Sequence, residues 1–349
     1  MRRMVLIICG IVLVGFASAV ASAQEMEESV PVGPPMPLIA PPSPPEGAMM
    51  PGFSGPPGPC PPPPPNGCQA KAGLPPSVTV YGGYLDDNRG FSYTRDRADG
   101  SGVPNLIFRM PVRGGWVGAS STVWLSERLG MAASGGLLIP VKTYGEFRQE
   151  GTNQVPLNQL SADHQWGYVD GMGLFNVAVG ECGTFSIVGG FRWDHFESRQ
   201  FLSSTDGTSA ATNNVTINAY VPYVGVQSFY QSSCSKVIAR LIGFPYVPGN
   251  VKFQESFNLT STGVGGGEYG TPFTFTSGYF AEFWIEAARK IIGDAYLGGF
   301  FRWNMIHAKT DFSPYTMTTD VGDTFDEKFK YYLHALTVGG LISIDFNFF

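Results

Sequence analysis

From residue 77 to the C-terminus, apolar and polar residues alternate with a period of two, the repeat of a β-strand whose two faces meet different surroundings. In Thr184 to Phe196, Phe185, Ile187, Gly189, Phe191 and Trp193 fall on one side and Ser186, Gly190, Arg192 and Asp194 on the other. Ala295 to His307 repeats the pattern, with Leu297, Phe301, Trp303 and Met305 opposite Arg302 and Asn304. Continued along the chain with turn signals, the alternation predicts ten strands, near 78–88, 112–125, 130–148, 165–180, 184–200, 215–232, 236–256, 273–289, 294–311 and 328–349. Eight or twelve strands remain open. Pro245 and Pro248 interrupt the seventh run, which predicts a bulge or bend there.

The connections alternate in length. Ser126 to Leu129, Glu181 to Gly183, Ser233 to Ser235 and Lys290 to Gly293 are tight, whereas Gln149 to His164, Phe201 to Asn214, Phe257 to Pro272 and Phe312 to Glu327 are long and polar. Short turns at one end and long loops at the other describe an outer-membrane barrel, with the short turns periplasmic. A β-protein in hydrocarbon must close on itself to pair every backbone group. The last strand, Leu341 to Phe349, sets Ile342, Ile344, Phe346 and Phe348 against Ser343, Asp345 and Asn347 and stops on Phe349. It resembles the terminal strand of bacterial outer-membrane β-barrel proteins, whose aromatic-ended alternation the barrel-assembly machinery reads. The resemblance implies that machinery and outer-membrane lipid as partners. Here the apolar ladder ends on Phe348, one residue earlier than the usual pattern.

The expected fold is therefore all-β: a closed antiparallel transmembrane barrel over 77–349, preceded by a disordered proline-rich segment. Residues 1–23 have the basic start, apolar core and Ala21-Ser22-Ala23 ending of a cleavable signal peptide. Nineteen of the 28 prolines lie between Pro31 and Pro76. That composition cannot bury a core, so residues 24–76 are expected to form an extended periplasmic tether, reaching roughly 140 Å at about 3.1 Å per residue. Such a tether suits either a cell-wall or periplasmic partner or a plain linker.

Charge and cysteine content change the picture in two ways. With 22 Lys and Arg against 28 Asp and Glu, the chain lacks the basic footprint of a nucleic-acid binder. Removal of the leader leaves four of the five cysteines. Cys182 and Cys234 occupy two short turns on one rim and are expected to form a disulfide in an oxidising compartment. Cys60 and Cys68 flank a five-proline run, too stiff to close so short a loop readily.

By parity, Asp170, Arg192, Asp194, Arg240, Glu282, Glu286 and Arg302 face the lumen, with Glu282 nearly level with Arg302 as an expected ion pair. Trp116, Trp124, Tyr168, Trp193, Tyr279, Trp303 and Tyr331 are expected in interfacial girdles. These features fit a narrow channel or a structural surface protein with exposed outer loops. A secreted soluble β-protein is the bland alternative. A rim hydrolase of protease or lipase type is another, because His164, His195, His307 and His334 fall near the outer rim. Asp194 and His195 adjoin in sequence and so point to opposite faces. No metal spacing, phosphate loop or nucleophile elbow is present, so no catalytic residue, metal or cofactor is expected.

Overall fold

The alternation of faces becomes a cylinder in a computed structural model. The model describes residues 76–97, 106–139, 141–149, 160–180, 182–203, 209–259, 263–268, 273–311, 313–316 and 324–346. The chain divides into two units, Met1–Pro62 and Pro63–Phe349, and every described residue lies in the second. The signal peptide and the tether up to residue 75 fall outside the described residues.

The strands in chain order are β1 (Ser77–Arg97), β2 (Leu106–Trp124), β3 (Leu129–Leu138), β4 (Val141–Gln149), β5 (Leu160–Val179), β6 (Gly183–Ser203) and β7 (Ser209–Gln231). They continue as β8 (Ser235–Phe244), β9 (Gly249–Leu259), β10 (Gly263–Glu268), β11 (Phe273–Ile292), β12 (Ala295–Thr310), β13 (Ser313–Thr316) and β14 (Thr324–Asp345). Two wall positions are each filled by two segments. β3 and β4 both pair β2 and β5, and β8 and β9 both pair β7 and β11. Counted so, ten antiparallel strands form a closed ring, while β10 and β13 pair with β9 and β14 at the long-loop end.

Closure is made by β1 and β14, in unshifted register from Ser77↔Asp345 to Asp86↔Leu336. The Phe346 amide, beyond the end of β14, still donates to the Pro76 carbonyl at 2.8 Å. The bend expected at Pro245 and Pro248 separates β8 from β9, and there the Tyr220 amide donates to the Pro248 carbonyl at 2.7 Å. A second break, at Ile139 after β3, was not expected.

The strands outrun their predicted lengths at the long-loop end. β6 has 21 residues and β7 has 23, so at about 3.3 Å per residue and a tilt near 40° they rise roughly 50 Å, twice the apolar layer. Beyond the lipid both faces of a strand can be polar, and the period-two contrast fades while the hydrogen-bonded ladder continues. Segments such as Ser209 to Asn214 are therefore strand rather than loop.

Parity assigns the walls. Phe185, Ile187 and Phe191 are exposed on the outer face, and Ser186, Arg192 and Asp194 are buried inside. On β14 and one residue past its end, Leu336, Val338, Ile342, Ile344 and Phe346 point outward, while Leu341, Ser343 and Asp345 point inward. Phe348 and Phe349 lie outside the described residues. Leu336 to Phe346 spans ten residue steps, about 25 Å along the barrel axis at that tilt, which matches the height of a lipid-facing band. Above it the outward positions of β14 turn to His334, Tyr332, Lys330 and Lys328. A cation placed within the band should cost far more than one above it. Val338→Arg is expected to lower the stability of the barrel refolded in lipid vesicles by about 2–4 kcal/mol, and His334→Arg by at most about 1 kcal/mol, measured by urea titration.

Candidate functional site: the packed lumen

The inward faces of β5, β6, β8, β11 and β12 meet in a belt of charge at mid-height. Asp170, Arg192, Asp194, Glu282 and Arg302 are each at most 3% exposed, and the Arg240 side chain is 11% exposed. Arg192 donates through Nε and Nη2 to the two carboxylate oxygens of Asp194, both at 2.6 Å. Its Nη1 reaches across the lumen to Glu282 Oε2 at 2.6 Å. Arg302 donates to that oxygen from Nε at 2.9 Å and Nη2 at 2.6 Å, and Arg240 donates to Glu282 Oε1 at 3.0 Å. Asp170 accepts from the Tyr223 hydroxyl. Three guanidiniums thus face three carboxyl groups, with Glu282 the common acceptor of all three.

Rings enclose this belt. The guanidinium carbons of Arg192 and Arg302 both lie 4.1 Å from the centroid of Tyr168, within the range of a cation–π contact. The Trp166 indole donates to Asp194 at 3.2 Å. Toward the short turns, Trp284 and Phe300 stack at 5.4 Å, and Tyr81 and Trp116 pack against both. Glycine makes room for the largest ring: a Cβ at Gly118 or Gly136 would overlap the Trp116 indole. Toward the long loops the lumen is filled by Phe196, Ile306, Leu333, Phe253, Phe273 and Phe329, interleaved with buried polar side chains such as Asp87, His164, Ser198, Gln200 and Asn213.

A smaller polar group lies near the short-turn rim. Glu286 accepts from the Tyr81 hydroxyl at 2.7 Å and the Trp284 indole at 3.2 Å. Lys236 donates to Asp345 at 2.9 Å and to Ser343 at 2.5 Å. A cavity of about 60 Å³ opens between them, bordered by Thr79, Tyr81, Ser134, Gln227, Lys236 and Glu286, room for a few waters at roughly 10–15 Å³ each.

The seven lumen residues singled out by parity all lie inside the wall, and Glu282 with Arg302 forms the expected pair at 2.6 Å. Parity did not indicate that Arg192 and Arg240 would join them. Four girdle assignments need correction. Trp116, Tyr168 and Tyr331 are buried in the lumen, and Trp124 borders the rim cavity. Only Trp193, Tyr279 and Trp303 lie on the outer wall. The glycines at 118 and 136, on the inward parity beside Trp116, were the available signal.

The expected bond between Cys182 and Cys234 is not formed: Cys234 is free, and Cys182 is disulfide-bonded elsewhere. The two turns are held in different directions. The Cys182 carbonyl accepts from Gln231 of β7, whereas the Cys234 carbonyl accepts from Lys290 of β11, at 2.8 and 2.7 Å. Cys60 and Cys68 lie outside the described residues.

The four histidines do not meet in one site. His164 points inward against Phe196, with ring centroids 5.6 Å apart. His195, His307 and His334 lie on the outer wall, where His195 pairs with Asn218 at 2.9 Å and His307 stacks on Tyr332 at 4.2 Å. Asp194 and His195 take opposite faces, as parity requires. Among the described residues no cluster of His, Cys, Asp and Glu could hold a metal ion.

No family model matches the chain, and no curated protein is similar to it in sequence. Solved structures are similar in fold. The outer membrane protease OmpT from Escherichia coli superposes with a TM-score of 0.58 at 12% identity, covering 78% of this chain and 97% of that one. The translocator domain of the autotransporter NalP from Neisseria meningitidis gives 0.36 at 11% identity over 80% and 91%. A Pseudomonas aeruginosa FadL homologue gives 0.24 at 8% identity over 78% and 91%. The chain has an outer-membrane β-barrel fold. At such low identity the likeness extends to architecture alone.

Removing the common acceptor should be costly, because it leaves three cations in a desolvated lumen. Glu282→Gln is expected to destabilise the barrel by about 3–5 kcal/mol, with Arg302→Met in the same chain restoring part of the loss. Denaturant unfolding in detergent micelles measures both.

Proposed function

We propose that the protein is a closed outer-membrane barrel of a bacterium that anchors and displays, rather than one that conducts. Its long loops face the exterior, and its proline-rich residues 24–76 extend into the periplasm toward a cell-wall or periplasmic partner. Export through the residue 1–23 leader and insertion through the Leu341–Phe349 strand bring it to that membrane.

The observation that carries this reading is the belt of Arg192, Glu282 and Arg302, each at most 1% exposed across the lumen. A pore needs charges that water and ions can reach, and these are sealed between the Tyr168 ring and the layer of Trp116, Trp284 and Phe300. Ten strands also enclose little more than side chains. A rim hydrolase draws on the OmpT likeness in fold, yet among the described residues His164 meets an aromatic ring and the other three histidines are on the outer wall.

Planar-bilayer recording tests this directly. The purified protein is expected to stay electrically silent under applied voltage, and reproducible conductance steps that change on Arg302→Ala would overturn the proposal in favour of a channel.

A further inference from the structure

Glu286 stands apart from the charged belt. It is 6% exposed, and its two hydrogen bonds come from neutral donors, the Tyr81 hydroxyl and the Trp284 indole. Both fall on Oε2, and neither reaches Oε1. On the neighbouring strand β8, Lys236 and Arg240 flank Ile238, the residue paired with Glu286, yet Lys236 is bonded to Asp345 and Arg240 to Glu282. Among the described residues Glu286 has no ion pair. With Lys236, Asp345 and Glu286 all ionised, the short-turn rim carries one negative charge in excess, and a buried carboxylate without a cation is costly.

The polar rim cavity lies against this carboxylate, with Ser134 and Gln227 also on its border. The Ser134 hydroxyl is buried and has no hydrogen-bond partner among the described residues. The rings of Tyr81, Trp124 and Trp284 complete the border, and aromatic faces beside a carboxylate favour an ammonium group over a more strongly hydrated cation. Ser77 and Asp345, paired where β1 begins and β14 ends, line the cavity as well, so it is reached from water at the short-turn mouth and not from lipid. Its volume of about 60 Å³ admits a molecule of roughly four to six non-hydrogen atoms, at about 10–15 Å³ for each water-sized centre.

We propose that this cavity binds a small primary amine in its ammonium form, a free amino alcohol of the size of ethanolamine, with Glu286 as its counter-charge and Ser134 and Gln227 as neutral partners. The ammonium supplies N–H donors to Glu286 Oε1, and the hydroxyl end meets the hydroxyl-rich border. A divalent metal suits the site poorly, since such ions take several carboxylate or carbonyl oxygens and among the described residues no three His, Cys, Asp or Glu side chains gather to hold one. A quaternary ammonium has no N–H to donate. The site needs only the cavity and its mouth, so it stands whether the barrel conducts or not.

The experiment is calorimetric titration of the full-length protein in detergent micelles at neutral pH with ethanolamine hydrochloride, against sodium chloride of the same ionic strength. One saturable site per chain is expected, with choline chloride and the uncharged ethylene glycol each binding at least tenfold more weakly. Glu286→Gln keeps an acceptor for Tyr81 and Trp284 but removes the charge, and should weaken ethanolamine binding at least tenfold while leaving the urea midpoint unchanged or raised. Absence of saturable binding to the natural chain, or equal affinity in Glu286→Gln, would overturn the proposal. Should that variant fail to fold, Ser134→Met, which fills the cavity and leaves Glu286 in place, is expected to abolish binding, and undiminished binding would overturn it. Infrared difference spectra read the carboxyl group itself. At saturating ethanolamine Glu286 should show carboxylate bands, and a neutral carboxyl band that persists there would mean that a proton, and not an ammonium group, offsets the charge.

Discussion

Hydrocarbon offers no partner to a backbone amide, and a sheet immersed in it cannot keep a free edge. Everything else in the fold follows from meeting that condition. The first and last strands must find each other over a sequence separation of about 260 residues, as Val80 and Ile342 do. Once they pair, each strand acquires an inner and an outer face. The outer face carries Val80, Phe185, Ile187, Leu297, Val338 and Ile344 exposed, a distribution that would be a liability in water and is natural in lipid.

The same closure creates an interior that must be filled. A ten-strand cylinder is narrow enough for side chains from opposite walls to touch, and Arg192 of β6 meets Glu282 of β11 across it. A carboxylate in this position is secure only while its guanidiniums surround it, since desolvated charges are costly when unpaired. Aromatic rings supply both volume and cation contacts, so the Tyr168 ring shares two guanidiniums while Trp116 occupies space left by Gly118 and Gly136. The arrangement is a plug built from the wall itself, with aromatic rings and aliphatic chains among buried polar groups toward the loops and a small polar cavity toward the turns.

How much of this was legible depends on whether a feature is local. The faces of Phe185 to Asp194, the inward charges and the break at Pro245 and Pro248 all follow from residue spacing within one strand. The closeness of Glu282 to Arg302 needs only a hairpin. Contact between Arg192 and Glu282 joins strands that are not neighbours, and it depends on barrel diameter, which no hydrophobic period encodes. Trp116, Tyr168 and Tyr331 were misplaced because an aromatic residue suits a lipid interface and a packed lumen equally well. Strand ends were underestimated where Ser, Thr and Asn continue a ladder with water on both sides. Cys182 and Cys234 were correctly assigned to short turns, but turns on one rim can lean toward different strands.

The closure of the cylinder rests on the seam between β1 and β14. Val80→Cys and Ile342→Cys, introduced together in a cysteine-free chain reconstituted in lipid vesicles, place two thiols on directly paired residues of the outer wall, within the 4.4–6.8 Å Cα range that a disulfide requires. Mild oxidation should join them in high yield. Thiols that remain separate and open to alkylation in the membrane-inserted protein would mean that the cylinder is not closed.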